Sequence, residues 1–266
     1  MAAQPHSILV RSDKIMEILY GYHPVNEALR AGRRTIREIW LSRGGVTPRL
    51  KALEERAAAE GVPLSRVSPR RLSAMAETGQ HQGVCAAVSG FPYQGLDEIL
   101  APVDGGGAPC LLLLDSIQDP HNLGALIRTA YCAGIWGVVI AKDRSATPTP
   151  TVSGVSAGAL EHTRLARVTN LVKTITAVKS AGLWVAGLDR ASGAGLFQAD
   201  LSGPVAIVVG SEEKGLRPLV RKNCDMLIGI PQVGRVDSLN ASVAGGVVMY
   251  EVYRQRLERQ GSDGSA

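Results

Sequence analysis

One stretch near the C-terminus, residues 205–253, constrains the fold most. It opens with the apolar run VAIVVG, whose lack of polar alternation suits a strand buried on both faces. A glycine-bounded turn follows (Gly210-Ser211-Glu212-Glu213-Lys214-Gly215), then a second apolar run, MLIGI, a loop from Pro231 to Asp237, and a long helical pattern from Ser238. Such repeated strand-to-loop transitions bring main-chain N–H and C=O groups to the C-terminal edge of a sheet, where α/β proteins hold small ligands. Ser238 is the expected N-cap of the final helix, whose Leu239, Val243, Val247 and Tyr250 share one face and leave Asn240 free to point elsewhere.

Residues 110–256 alternate apolar runs with helical patterns: LLLLD, Asn122–Cys132, WGVVI, Val152–Leu160, RLARV, Leu171–Ala181, LWVAGL, VAIVVG, a short helix near Arg217, MLIGI and the final helix. This predicts a mostly parallel sheet covered on both faces. Residues 15–92 predict a smaller α/β/α sandwich, with helices at Pro24–Ala31, Leu50–Ala59 and Pro69–Ala76 and strands at Ile36–Leu41, VPLSRV and Gly83–Val88. Between them, residues 93–109 are rich in Gly and Pro and read as a linker, with one short helix at Leu96–Leu100 and a flexible triplet at Gly105–Gly107.

Charge is unevenly spread. The chain carries a formal +5, and residues 1–92 hold 13 basic against 8 acidic residues, whereas the remainder balances at 16 of each. A solvated surface and a module that grips a polyanion both show this pattern. Arg33, Arg34, Arg37, Arg43, Arg70 and Arg71 are the phosphate-contact candidates. With Phe91 and Phe197 the only phenylalanines, an aromatic RNA platform has little support. Cys85, Cys110, Cys132 and Cys224 form no C-x-x-C pair and read as buried reduced thiols; the five histidines show no ligand spacing, so no metal is expected. The chain has no run of eighteen apolar residues, and its first fourteen lack a signal-peptide core. Residues 1–14 and 259–266 are expected to be disordered tails, the compartment cytoplasmic, and a membrane no partner.

The motifs narrow the chemistry. GSEEKG lacks the GK[ST] ending of a nucleotide-hydrolysing loop, and the position after LLLLD lacks the G-x-G-x-x-G of an ordinary dinucleotide fold. In DSIQDPHNLGALIRTA (Asp115–Ala130), Leu123, Leu126, Ile127 and Ala130 form a buried helical stripe. Asn122 stands ahead of it as an N-cap candidate. Arg128 lies roughly 140° around from Leu123, facing either a cleft or bulk solvent.

This segment, GSEEKG and IPQVGRVDSLNASVA, in that order, resemble the three motifs of the SpoU/TrmH (SPOUT) family of RNA 2′-O-ribose methyltransferases. The resemblance covers residues 20–256, and His81-Gln82-Gly83 with the two-domain layout is most similar to the RlmB-type subgroup, which methylates a guanosine of 23S rRNA. It implies a SPOUT domain over 110–258 with a C-terminal trefoil knot, after an RNA-binding domain over 15–92. It implies S-adenosylmethionine as co-substrate, rRNA as partner, and a homodimer joined through the knotted domains. By the same resemblance Asn122, Arg128, Glu212, Ser238 and Asn240 are catalytic, and Gly210, Ile230 and Leu239 hold the cofactor, largely through main-chain atoms. Glu161 and Asn170 also match family positions, read as structural. Ala241 departs from the branched residue common there, which affects packing. A tRNA 2′-O-methyltransferase, an antibiotic-resistance rRNA methyltransferase and a non-catalytic ribosome-assembly protein remain the alternatives.

Overall fold

The computed structural model describes residues 16–45, 47–101, 108–234 and 238–263, with side chains to 259. The glycine triplet and the N-terminal tail lie outside the described residues. The chain divides into two compact units at Pro92/Tyr93.

The first unit runs β1 (Met16–Tyr20), α1 (Tyr22–Ala31), β2 (Ile36–Ser42), α2 (Pro48–Ala59), β3 (Leu64–Val67), α3 (Pro69–Ala76) and β4 (Val84–Ser89). Its sheet has the order β1-β4-β2-β3, with β2 and β3 parallel and the other pairs antiparallel. Alternation along β4 builds both layers. Val84, Ala86 and Val88 join Leu19, Ile39, Leu41 and the helical Val25 and Leu53, while Cys85 packs with Leu72 of α3. Pro at the first turn of α2 and α3, behind Thr47 and Ser68 caps, sets where both helices begin. Helices thus pack on both faces of this sheet, and β1 is an edge strand that the sequence reading did not include.

The second unit runs α4 (Leu96–Leu100), β5 (Cys110–Asp115), α5 (Pro120–Cys132), β6 (Gly137–Ala141), α6 (Pro150–Val155), β7 (Leu165–Val168), α7 (Leu171–Ser180), β8 (Trp184–Leu188), β9 (Val205–Gly210), α8 (Pro218–Asn223), β10 (Met226–Ile228) and α9 (Ala241–Asp263). All neighbouring strands are parallel, in the order β10-β8-β9-β5-β6-β7. The chain fills one side with β6 and β7, crosses to β8, then returns so that β9 enters between β8 and β5. The C-terminal ends of β5, β8, β9 and β10 thus meet at one edge, with Asp115 opposite Gly210 and Leu188 opposite Ile228.

Several expected boundaries move. The expected linker over 93–109 falls within the second unit: Ile99 is buried in its core and its carbonyl accepts from Trp136 Nε1 at 3.0 Å. Gly137 permits this, since a Cβ there would lie 2.6 Å from Ile99 Cγ2. The expected helix over 152–160 breaks at Ala157 and Gly158, both with positive φ, leaving α6 and a 3₁₀ turn at Ala159–His162. The final helix continues past 258 to Asp263, its last turns tied by Arg254–Glu258 and Arg254–Glu251 ion pairs, so a tail beginning at 259 is corrected. The thiols also divide: Cys85 and Cys110 are buried, Cys224 half-buried and Cys132 exposed. Among the described residues no helix is long and apolar enough to cross a membrane, and no three His, Cys, Asp or Glu side chains gather as a metal set.

Candidate active site

The site grows from three chain segments that reach the same sheet edge. Gly210 ends β9, and residues 211–215 close on themselves, with Ser211 N donating to Gly215 O (3.2 Å) and Gly215 N to Ser211 O (2.8 Å). This tight loop requires glycine: a Cβ on Gly210 would stand 2.2 Å from the Gly215 carbonyl carbon and 2.5 Å from Leu216 N. From the loop Glu212 reaches the start of α5 and the residue before α9. Its Oε1 accepts from Asn122 Nδ2 and Asn240 Nδ2, both at 2.5 Å, and Asn240 Nδ2 also donates to Asn122 Oδ1 at 3.0 Å. Residues 90 and 118 positions apart along the chain so form one triangle. Glu212 Oε2 carries no bond to any described residue.

Two capping expectations are corrected. Asp119, not Asn122, caps α5, accepting from His121 N at 2.8 Å, because Pro120 occupies the first helical position. Asn122 is thereby moved into the first turn, where its amide faces Glu212. Asn240, not Ser238, precedes α9: its Oδ1 accepts from Ser242 N (2.9 Å) and Val243 N (3.3 Å), so the side chain caps the helix and joins the triangle together. Gly245 lets α9 lie close on α5, since a Cβ there would meet Leu126 Cδ2 at 2.4 Å.

Beside the triangle is a cleft walled by Leu188, Val209, Gly210, Ile228, Ile230 and Leu239, with Ser238 at its rim. The main-chain amides of Ile230 and Leu239 have no partner among the described residues. Apolar walls with unpaired peptide groups suit a flat heteroaromatic ring that needs amide partners. The three expected cofactor residues are thus together. Asp189, also at this cleft, is ion-paired to Arg221. Burial pushes its carboxyl up, but the bonds from Arg221 and from Ala191 N outweigh this and hold it below the usual carboxylate range.

Arg128 is the expected site residue that the fold does not bring in. It is exposed on α5, six residues and so about 120° from Asn122, and lines neither the cleft nor the cavity next to it. In the first unit, Arg34 is corrected from RNA ligand to structural residue: its side chain is fully buried, pairing with Glu17 at 2.7 Å and donating to Ser89 O. Arg33 donates to Pro92 O and lies over the Phe91 ring. Arg37, Arg43, Arg70 and Arg71 are exposed, Arg43 with its Nε on Arg66 O.

Sequence reasoning assigned no role to a second, polar cavity across the 211–215 loop, lined by Gln118, Asn122, Arg144, Glu212, Lys214 and Arg217. Its one legible signal was Asp115, a charge ending the apolar run LLLLD at a sheet edge.

Known proteins resemble this chain in sequence and in fold. Residues 109–250 match the SpoU rRNA Methylase family, and residues 18–94 match the RNA 2′-O ribose methyltransferase substrate binding domain. A Pseudomonas aeruginosa protein named 23S rRNA (guanosine-2′-O-)-methyltransferase RlmB is 44% identical over 243 residues, 90% of this chain and 97% of that protein. The SpoU methyltransferase AviRb from Streptomyces viridochromogenes, solved with the cofactor AdoMet, superposes with a TM-score of 0.78 at 25% identity, covering 95% of each chain. An AdoMet-bound rRNA methyltransferase from Sinorhizobium meliloti gives 0.76 at 25% identity, over 92% of this chain and 89% of that one. With more than half its length matched by the family model and a relative at 44% identity spanning nine-tenths of it, the chain belongs to the SpoU rRNA methylase family.

Proposed function

We propose that this chain transfers a methyl group from S-adenosylmethionine to the ribose 2′-OH of a guanosine in 23S rRNA, in the cytoplasm. One observation carries the reading: an apolar cleft with unpaired peptide groups shares Ser211, Glu212 and Gly215 with a polar cavity, so donor and acceptor can meet across a single loop. Gly210, Ile230 and Leu239 would hold the cofactor, with Ser238 at the rim. Bound there, the cofactor supplies an electrophilic sulfonium methyl.

The chain's own residues do the rest. A ribose hydroxyl is a poor nucleophile, and in-line positioning contributes on the order of 7–11 kcal/mol to such reactions. Asn122 and Asn240 fix one oxygen of Glu212, which leaves the other to accept the acceptor hydroxyl's proton or hydrogen bond. Arg128 stabilises the developing alkoxide as a fixed cation, since guanidinium is not deprotonated in proteins. Because Arg128 lies about 120° from Asn122 on α5, it serves the site of a second copy in a homodimer. A stripe of exposed apolar residues on α9, Val243, Tyr250, Tyr253 and Leu257, with Tyr131 on α5, supports that interface. The C-terminal segment is read as the trefoil knot. Insertion of β9 between β8 and β5, and return of the chain from edge strand β10 to α9 on α5, support this.

Arg37, Arg70 and Arg71 of the first unit contact RNA phosphates, with Arg33 beside them. Mapping methylated riboses in rRNA from a deletion strain, with and without the gene restored, tests the proposal. One 23S guanosine loses and regains its 2′-O-methyl group; an unchanged rRNA pattern overturns the reading, and absent S-adenosylmethionine binding by calorimetry would favour a non-catalytic assembly protein.

A further inference from the structure

The polar cavity across the 211–215 loop holds three cationic side chains: Arg144, Lys214 and Arg217. They are differently tethered. Asp115, wholly buried at the end of β5, accepts from Arg217 N at 2.8 Å and from Arg217 Nε at 2.6 Å, so each carboxylate oxygen bonds Arg217, with Ser116 Oγ a longer third donor at 3.4 Å. The guanidinium is thereby oriented, and its two terminal amino groups carry no bond to any described residue. Arg144 and Lys214 form no side-chain bond to a described residue either. Of the acidic groups lining the cavity, Asp119 caps α5 and Glu212 is held through one oxygen in the amide triangle, while Glu213 forms no side-chain bond to a described residue.

The backbone around it is held in an unfavourable form. Ser116 (φ 65°) and Arg144 (φ 56°) both sit in the left-handed region, on the two loops that border the cavity, and Ala146 N donates to Ile117 O at 2.7 Å to tie those loops together. Each such residue costs on the order of 1–2 kcal/mol, a strain that persists where a site needs it. In Arg144 it places a cation at the cavity mouth.

We infer that this cavity is a phosphodiester site in which Arg217, oriented by Asp115 and assisted by Arg144 and Lys214, grips the phosphate next to the methylated ribose. The inference rests on the proposed function and adds what holds the acceptor within a single chain. A guanidinium fork offering two parallel N–H groups matches a phosphate's two oxygens. Asp115 touches no substrate and is a positioning residue.

A ligated 23S rRNA fragment with a neutral methylphosphonate at either phosphate flanking the target ribose tests this as a cycle. For the full-length protein, one of the two neutral linkages lowers kcat/KM by roughly 10- to 100-fold, the range for a lost charge-assisted bond. Arg217→Gln gives a similar loss on natural RNA and no further loss on the neutral one, with S-adenosylmethionine affinity unchanged. Losses that multiply at both linkages, or wild-type kcat/KM in the variant, overturn the assignment. If Arg217→Gln does not fold, the Arg144→Gln/Lys214→Gln double variant, which breaks no side-chain bond to a described residue, enters the same cycle. If the wild-type protein methylates no RNA, the function reading fails separately. The phosphate site is then judged by RNA affinity against salt, where loss of Arg217 lowers the slope by about 0.7 and an unchanged slope refutes it.

Discussion

Replacing Asn240 separates two jobs done by one side chain. Its Oδ1 caps α9, and its Nδ2 bonds Glu212 and Asn122. Asn240→Ala loses both: about 1 kcal/mol for the cap and about 1.5 kcal/mol for the bond to a charged group, the low end of the range because Asn240 is exposed and water replaces part of it. A total of about 2.5 kcal/mol lowers Tm by roughly 5–10 °C in a chain of this size. Asn240→Ser keeps the cap and recovers about half of that loss. Asn240→Asp also keeps the capping oxygen but sets a second carboxylate against Glu212, and like charges at hydrogen-bond distance raise the folded-state pKa of one of them. A raised folded pKa means that the penalty is full near neutral pH and is relieved as pH falls toward the unfolded carboxylate value. Thermal unfolding of the three variants between about pH 5 and pH 8 reads all of this. Equal stability of the Ser and Ala variants would refute the cap, and a pH-independent deficit in the Asp variant would refute the contact with Glu212.

Three further outcomes follow from the same geometry. Gly210→Ala drives a Cβ into the Gly215 main chain, which cannot give as a side-chain tip would; calorimetry should find S-adenosylmethionine binding lost in a protein that still melts cooperatively. Arg34→Ala leaves Glu17 without its partner in a buried pair and should destabilise the first unit by about 3 kcal/mol, while Arg70→Ala and Arg71→Ala change RNA affinity and not stability. With a thiol reagent near neutral pH, Cys132 alone should react quickly. Burial pushes the Cys85 and Cys224 thiols up to about 11 and that of Cys110 up to about 12, against the small opposing pull of Arg256.

What was legible in the chain had local causes. The stripe Leu123, Leu126, Ile127 and Ala130 is buried as its spacing predicts, and α4 occupies Leu96–Leu100 as read. The two displaced caps had local signals that were outweighed: Asp119-Pro120 marks a helix start, and Asn240 stands where a cap belongs once α9 begins at Ala241. Arg34 shows the opposite limit, since nothing in Arg33-Arg34 tells which guanidinium turns inward to meet Glu17 across the sheet. The triangle of Asn122, Glu212 and Asn240 and the Asp115–Arg217 pair join positions about a hundred residues apart, and only the crossover that sets β9 beside β5 brings them together. The motif resemblance named the members of the triangle; it did not supply their bonds.

A crystal grown with S-adenosylhomocysteine tests the central claim most directly. The adenine should lie between Ile230 and Leu239, bonded to their main-chain groups, with the sulfur directed across the 211–215 loop toward Glu212 and the cavity of Arg217. An adenine bound outside that cleft, or a sulfur facing away from Glu212, would contradict the account.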